Sequence, residues 1–131
     1  MFSNSPKPAG GSAPKRRRSW ARPLLIAAAA YVLLVAIQGR TDQQIGAALA
    51  ALAKPGDIVM LSSETCTHCA QARRWFTEHR VPFSECFIEK DAACADRYRA
   101  QQSPGTPTLL VRGERQIGFD PGRITKTLGG G

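Results

Sequence analysis

The sequence predicts an α/β domain, a mixed sheet of four strands flanked by helices, preceded by a single N-terminal transmembrane helix. Three observations predict it. From residue 57 onward, short apolar runs alternate with amphipathic helical stretches. Their order, β-α-β, then a helix, a hairpin and a last helix, puts parallel and antiparallel pairs into one sheet. Ahead of them lies one uncharged stretch long enough to enter a bilayer. The chain has 131 residues, 43% hydrophobic and 21% charged, which is enough for one small core and excludes two folded domains or a solenoid.

Ile58 to Ser62 is a short apolar run and reads as a buried strand. Thr67 to Arg80 carries Cys69, Ala72, Trp75, Phe76 and His79 on one helical side, and Val81-Pro82 breaks it. Pro82 to Ile88 reads as the second strand, and Asp91 caps a helix running to about Gln102. Ser103-Pro104-Gly105 ends that helix, and Thr108 to Val111 is the third strand. Arg112-Gly113-Glu114 reads as a hairpin turn, Arg115 to Phe119 as the fourth strand, and Pro121 to Leu128 as the last helix. Upstream, Thr41-Asp42 reads as the N-cap of a separate helix with Ile45, Ala48, Leu49 and Leu52 at helical spacing, ended by Lys54-Pro55-Gly56.

The net charge of +8 is concentrated at one end. Residues 1–22 hold six Lys and Arg and no acid, whereas the remainder holds 12 basic against 10 acidic residues. A nucleic-acid binder spreads its basic residues over a folded face, so this pattern argues against that class. The adjoining segment explains it better. Leu24 to Ile37 is 14 apolar residues in a row, within an uncharged stretch from Pro23 to Gly39. As a helix that stretch spans roughly 25 Å, the short end of a membrane crossing. Trp20 stands where an interfacial anchor would, and the basic side faces the cytoplasm by the positive-inside bias. A cleaved signal peptide is the alternative, but the segment before the apolar run is long and no small-x-small site lies just past Ile37. A buried core helix is the other alternative. The organisation that follows is a disordered basic cytoplasmic tail at 1–19, a signal-anchor at 20–39, a connecting helix and turn at 40–56, and the α/β domain at 57–131.

Cys66-Thr67-His68-Cys69 carries the chemistry. It follows a predicted strand and opens a predicted helix, where free backbone N–H groups and the positive end of the helix dipole favour a thiolate. Two intervening residues bring the second sulfur within bonding range, so Cys66 can attack a disulfide and Cys69 resolve the product. Cys69, one turn in, is the more buried. His68 can stabilise the thiolate and so make the pair more oxidising, with Thr67 as its neighbour in the motif, while Glu64 pulls the other way. Haem attachment needs a His after the second Cys, and Ala70 stands there. A zinc site would need Cys86 and Cys94 as well, and their spacing does not suit one. For Cys86 and Cys94 three states stay open: a structural disulfide, two inert thiols, or a relay to the first pair.

Together with Gly105-Thr106-Pro107-Thr108-Leu109-Leu110, the Cys66–Cys69 motif resembles the thioredoxin superfamily, most closely its glutaredoxin branch, over about residues 57–128. The resemblance implies that Pro107 is cis and that the Thr106 backbone stands beside Cys66, where it pairs with the substrate chain. Gly118-Phe119-Asp120-Pro121 resembles the turn that lines the same groove, which adds Phe119 and Asp120 to the substrate-binding set, with Asp120 available to an amino group. Thr67-His68 departs from the usual glutaredoxin Pro-Tyr, and Glu64 replaces a basic residue. The histidine and the Gly-Thr-Pro resemble exported oxidants and disulfide isomerases of the Dsb type. The resemblance implies a thiol–disulfide oxidoreductase that requires no cofactor and acts on protein thiols or disulfides, with glutathione a possible substrate; the anchor and charge bias put it outside the cytoplasmic membrane, where a membrane protein is a possible electron donor or acceptor. The rival expectation is a non-catalytic module of the same fold that holds a soft metal or docks a protein at the membrane.

Overall fold

The computed structural model describes residue 1 and residues 21–130. The basic tail and the Trp20 anchor fall among residues 2–20, outside the described residues. The elements in chain order are α1 (Ala21–Leu52), β1 (Ile58–Ser62), α2 (Thr67–Glu78), β2 (Ser84–Phe87), α3 (Ala92–Ala100), β3 (Thr108–Val111), β4 (Glu114–Ile117) and α4 (Pro121–Gly129). The chain divides into two compact units, one ending at Leu34 and one from Val35 to Gly131.

In the first unit, the described residues form the start of α1. Leu24, Leu25, Ile26, Tyr31 and Val32 are all at least 65% exposed, which excludes the core-helix reading. The helix is long and apolar enough to cross a membrane.

The second unit begins inside the same helix. Thr41 and Asp42 do not start a new one: Thr41 Oγ1 donates to the Ile37 carbonyl 3.1 Å away, the in-helix alternative to capping. The buried positions near the helix end are Gly46, Leu49 and Ala53, while Ala48 and Leu52 face solvent. Gly56, at φ +92°, turns the chain into β1, and Asp57 accepts from the Lys54 N–H at 3.0 Å. The Asp57 carboxyl is held below its ordinary range by that backbone hydrogen bond first and by the Arg112 guanidinium second.

The sheet order is β2-β1-β3-β4, with β1 parallel to β2 and antiparallel to β3, and β3 antiparallel to β4. Arg112 (φ +49°) and Gly113 (φ +83°) form a two-residue hairpin turn, so β4 starts at Glu114, a residue sooner than the sequence suggests. It also ends sooner, at Ile117, because Gly118 leaves the ladder at φ +76°. Ile58 pairs with Val111 and Met60 with Leu109, which puts these four side chains on one face. They join Leu49 of α1, Ala53 just after it, Ala72 and Phe76 of α2, Val81, and Ile124 and Leu128 of α4 in the main core. Leu61 and Cys86 are in register on the opposite face, where Cys94 ties α3 to the sheet. The result is a mixed four-stranded sheet with helices on both sides.

Candidate functional site

Cys66 is the N-cap of α2. Its backbone is extended, at φ −82° and ψ 106°, and its Sγ accepts the Cys69 N–H at 3.1 Å. The sulfur therefore takes the place that a Ser or Asp oxygen usually holds at a helix start, facing the unpaired first-turn N–H groups. Cys66 is half-buried and Cys69 has no exposed surface. The two are joined as a disulfide across a Cα separation of 5.3 Å. Thr67 and His68, the first two helical residues, are both exposed. His68 Nδ1 lies 3.3 Å from Gln71 Oε1, one turn along.

Beside this helix start runs a groove of about 470 Å³. His68 and Gln71 line it from α2, Pro104 to Pro107 from the loop before β3, and Ile117, Gly118 and Phe119 from the end of β4. The Thr106–Pro107 peptide is cis. The Pro107 carbonyl accepts the Gly118 N–H at 2.9 Å, which joins the two loops across the groove floor. Thr108 Oγ1 donates to the Gly105 carbonyl at 2.7 Å and lies 2.5 Å from Ser103 Oγ, so the Pro104–Thr106 wall is pinned at both ends. Phe119 stands edge-on to Trp75 and Phe76, with ring centroids 5.5 and 5.1 Å away. Asp120, next to Phe119 and exposed, caps α4, accepting the Arg123 N–H at 3.1 Å and lying 3.6 Å from the Arg123 guanidinium.

The charges near the motif are paired. Glu64 Oε1 is 2.8 Å from Lys90 Nζ, and Lys90 also lies over the Phe87 ring. Glu89 accepts hydrogen bonds from the Ser63 hydroxyl and the Glu64 N–H, and the Ser63 hydrogen bond draws its carboxyl below the ordinary range. Farther along α2, the Arg73 guanidinium grips Glu85 of β2 through two hydrogen bonds, at 2.5 and 2.7 Å. Burial pushes the Glu85 carboxyl up, but the Arg73 hydrogen bonds, help from Ser62 and the Arg73 charge together bring it below its usual value. Cys86 and Cys94 form a second disulfide, with Cα atoms 5.6 Å apart. Among the described residues, no group of three or more His, Cys, Asp or Glu side chains comes together to hold a metal ion.

The structure thus brings His68, Thr106, Pro107 and Phe119 to one groove beside the start of α2, where Cys66, Thr67 and Cys69 stand, and Asp120 follows Phe119 as the cap of α4. Sequence reasoning did not identify Gln71, Ile117 or Lys90. The His68–Gln71 spacing of three on a helix was a usable signal. Nothing local marked Lys90 as the partner of Glu64, because the two meet only when β2 lies parallel to β1.

The sequence matches the Glutaredoxin family over residues 58–116. Among solved structures, the thioredoxin-like protein BC3987 is 26% identical, with 54% of this chain and 97% of that one covered and a TM-score of 0.48. That description holds for a mutant form of the protein, and the unmutated form gives the same identity and coverage with a TM-score of 0.47. No curated protein matches the chain.

Proposed function

We propose, from the premise that this chain carries a glutaredoxin-like domain of the thioredoxin superfamily, that it is a thiol–disulfide oxidoreductase held at the cytoplasmic membrane. The observation that carries the proposal is Cys66 at the N-cap of α2, bonded to a buried Cys69 beside a groove floored by Pro107. In the reduced form, the first-turn N–H groups and the helix dipole stabilise the Cys66 thiolate. That thiolate attacks one sulfur of a substrate disulfide, and the other substrate sulfur leaves as a thiolate and takes a proton. Cys69, as thiolate, then attacks Cys66 Sγ, which releases the second substrate thiol and closes the Cys66–Cys69 disulfide. The reverse sequence oxidises a substrate dithiol. Thr106, Pro107 and Phe119 hold the substrate chain, and Thr67 and His68 set the poise of the pair. Asp120, beside Phe119 and exposed, is available to a substrate amino group. Glutathione fits this chemistry as a small-molecule substrate, and no cofactor is required.

In this reading the N-terminus lies in the cytoplasm and the redox domain on the outer, periplasmic side, where a membrane protein can serve as electron donor or acceptor; the apolar helix and its basic flank support it. The rival reading is a non-catalytic module of the same fold that holds a soft metal or docks a protein; stoichiometric retention of Cu(I) or Zn(II) with no disulfide-reductase activity would favour it.

The test uses the full chain in detergent micelles, with Cys86 and Cys94 changed to Ser. Cys69→Ser should trap a mixed disulfide on Cys66 and Cys66→Ser should trap none, and the opposite pattern would refute the assignment. Equilibration in glutathione buffers then sets direction: a two-electron midpoint above about −180 mV marks an oxidant or isomerase, and one near −200 mV or lower a reductant. The absence of any reversible transition would sink the redox reading itself.

A further inference from the structure

The second disulfide has a mechanical role that the first lacks. Cys94 is the one buried residue of α3, and no residue of that helix belongs to the main core. Its bond to Cys86 is therefore the one covalent cross-link that fastens α3 to the sheet. At the helix start the Asp91 N–H also donates to the Phe87 carbonyl at 3.2 Å, and at the far end Arg115 donates to the Gln101 carbonyl at 2.5 Å and Tyr98 to the Ser103 carbonyl at 3.3 Å. Beyond that end the chain passes within three residues into Pro104, Gly105 and Thr106, one wall of the groove. A nine-residue helix with no apolar face to bury is marginal by itself. Fixing its start by a covalent bond therefore also limits how far its end, and the groove wall after it, can move.

We infer that Cys86–Cys94 is a second redox site that controls the groove. Cys86 is half-exposed and Cys94 is buried, so an incoming thiolate from a dithiol protein meets Cys86 and Cys94 leaves. The second thiol of that reductant then attacks the mixed disulfide. Two electrons and two protons pass from the reductant, which ends as a disulfide, to Cys86 and Cys94, which end as thiols. Opening the bond releases α3, loosens the Pro104–Thr106 wall and weakens substrate binding. Re-oxidation restores it. The effect on substrate rests on the oxidoreductase reading, whereas the release of α3 does not.

Two measurements test the inference and separate the two parts. The first uses the full chain carrying Cys66→Ser and Cys69→Ser, so that only the second pair responds, with dithiothreitol as the dithiol and amide hydrogen exchange as the readout. Reduction should speed exchange across residues 92–106 by roughly tenfold or more, reversibly, and leave β1 and β3 protected. Unchanged exchange in 92–106, loss of protection in β1 and β3 as well, or failure of dithiothreitol to open the bond without denaturant would each overturn the inference. The second uses Cys86→Ala with Cys94→Ala on the chain with its first pair intact. KM for a peptide disulfide should rise by about threefold or more with kcat nearly unchanged, the pattern of lost ground-state binding. An unchanged KM would overturn the link to the groove.

Discussion

Gly46 of α1 lies flat against the imidazole of His79: a Cβ added at Gly46 would overlap the ring. The ring has little room to give way. Its Nδ1 is 2.9 Å from the Trp75 carbonyl, and it stacks on the Trp75 indole with centroids 4.1 Å apart. This approach lets α1 close over α2 and bury Leu49 in the core. In an exposed helix, Gly→Ala stabilises by up to about 1 kcal/mol. At Gly46 the sign should reverse, with Gly46→Ala costing roughly 1–3 kcal/mol through overpacking. Gly39→Ala, which meets nothing within 4 Å, is the control and should cost nothing. Denaturant unfolding of the two variants reads the contrast, and a stabilised Gly46→Ala would show that the approach is not tight.

Lys90 and Glu64 act on the Cys66 thiol with opposite signs. A free carboxylate two residues before Cys66 disfavours the thiolate, and the Lys90 ammonium, 2.8 Å from Glu64, offsets it. Lys90→Ala should therefore raise the Cys66 thiol pKa and make the pair more reducing, while Glu64→Ala should do the reverse. Both side chains are close to half-exposed or more, so each effect should be small and should shrink as salt rises. Thiolate absorbance against pH in the reduced protein measures it. Shifts of the same sign in the two variants would contradict the pairing.

The Arg73–Glu85 pair predicts how stability depends on acidity. The folded-state pKa of Glu85 is lowered, so its contribution is present above the unfolded carboxyl pKa of about 4.3 and is lost as pH falls through the lower, folded value. Arg73 is 41% exposed at its side chain, and solvent screening leaves the pair worth about 1 kcal/mol. Glu85→Gln should thus be less stable than the parent by that amount at pH 7, a Tm difference of roughly 4–8 °C, and equal to it near pH 2. A difference that persists unchanged into acid would trace the loss to packing.

The parts of this fold that were legible in the sequence are those set by local chemistry. Ile58–Ser62 and Thr108–Val111 announce themselves as apolar runs, and both strands fall at those residues. Cys66 could be placed at a helix start because a strand pattern ends just before it and a helical pattern begins just after. Asp91 was a recognisable cap, whereas the capping role of Asp120 was hidden behind its place in the Gly118–Pro121 turn and shows only in the Arg123 N–H that it accepts. Thr41-Asp42 misled for a related reason, since a Thr that donates back to a carbonyl inside a helix has the same spelling as one that starts it. The Gly46–His79 contact was illegible because a glycine at a helix crossing carries no pattern. The state of Cys86 and Cys94 depended on whether α3 crosses the sheet above β2.

Ile117 offers the sharpest separation of substrate contact from stability. It is 43% exposed, lines the groove together with His68, and takes no part in the main core. The groove walls on its side are Gly118 and the Phe119 ring, so Ile117 provides the aliphatic surface that an apolar residue flanking a substrate cysteine would cover. Ile117→Ser removes that surface without opening a cavity, and stability should stay within about 0.5 kcal/mol of the parent. Losing one apolar contact of this size should raise KM for a peptide disulfide with an apolar flank by roughly 3- to 10-fold, with kcat unchanged. A peptide with a serine at the flanking position should show no such rise. Parallel kinetics on the two peptides give the answer, and equal effects on both would mean that substrate chains do not lie along this wall.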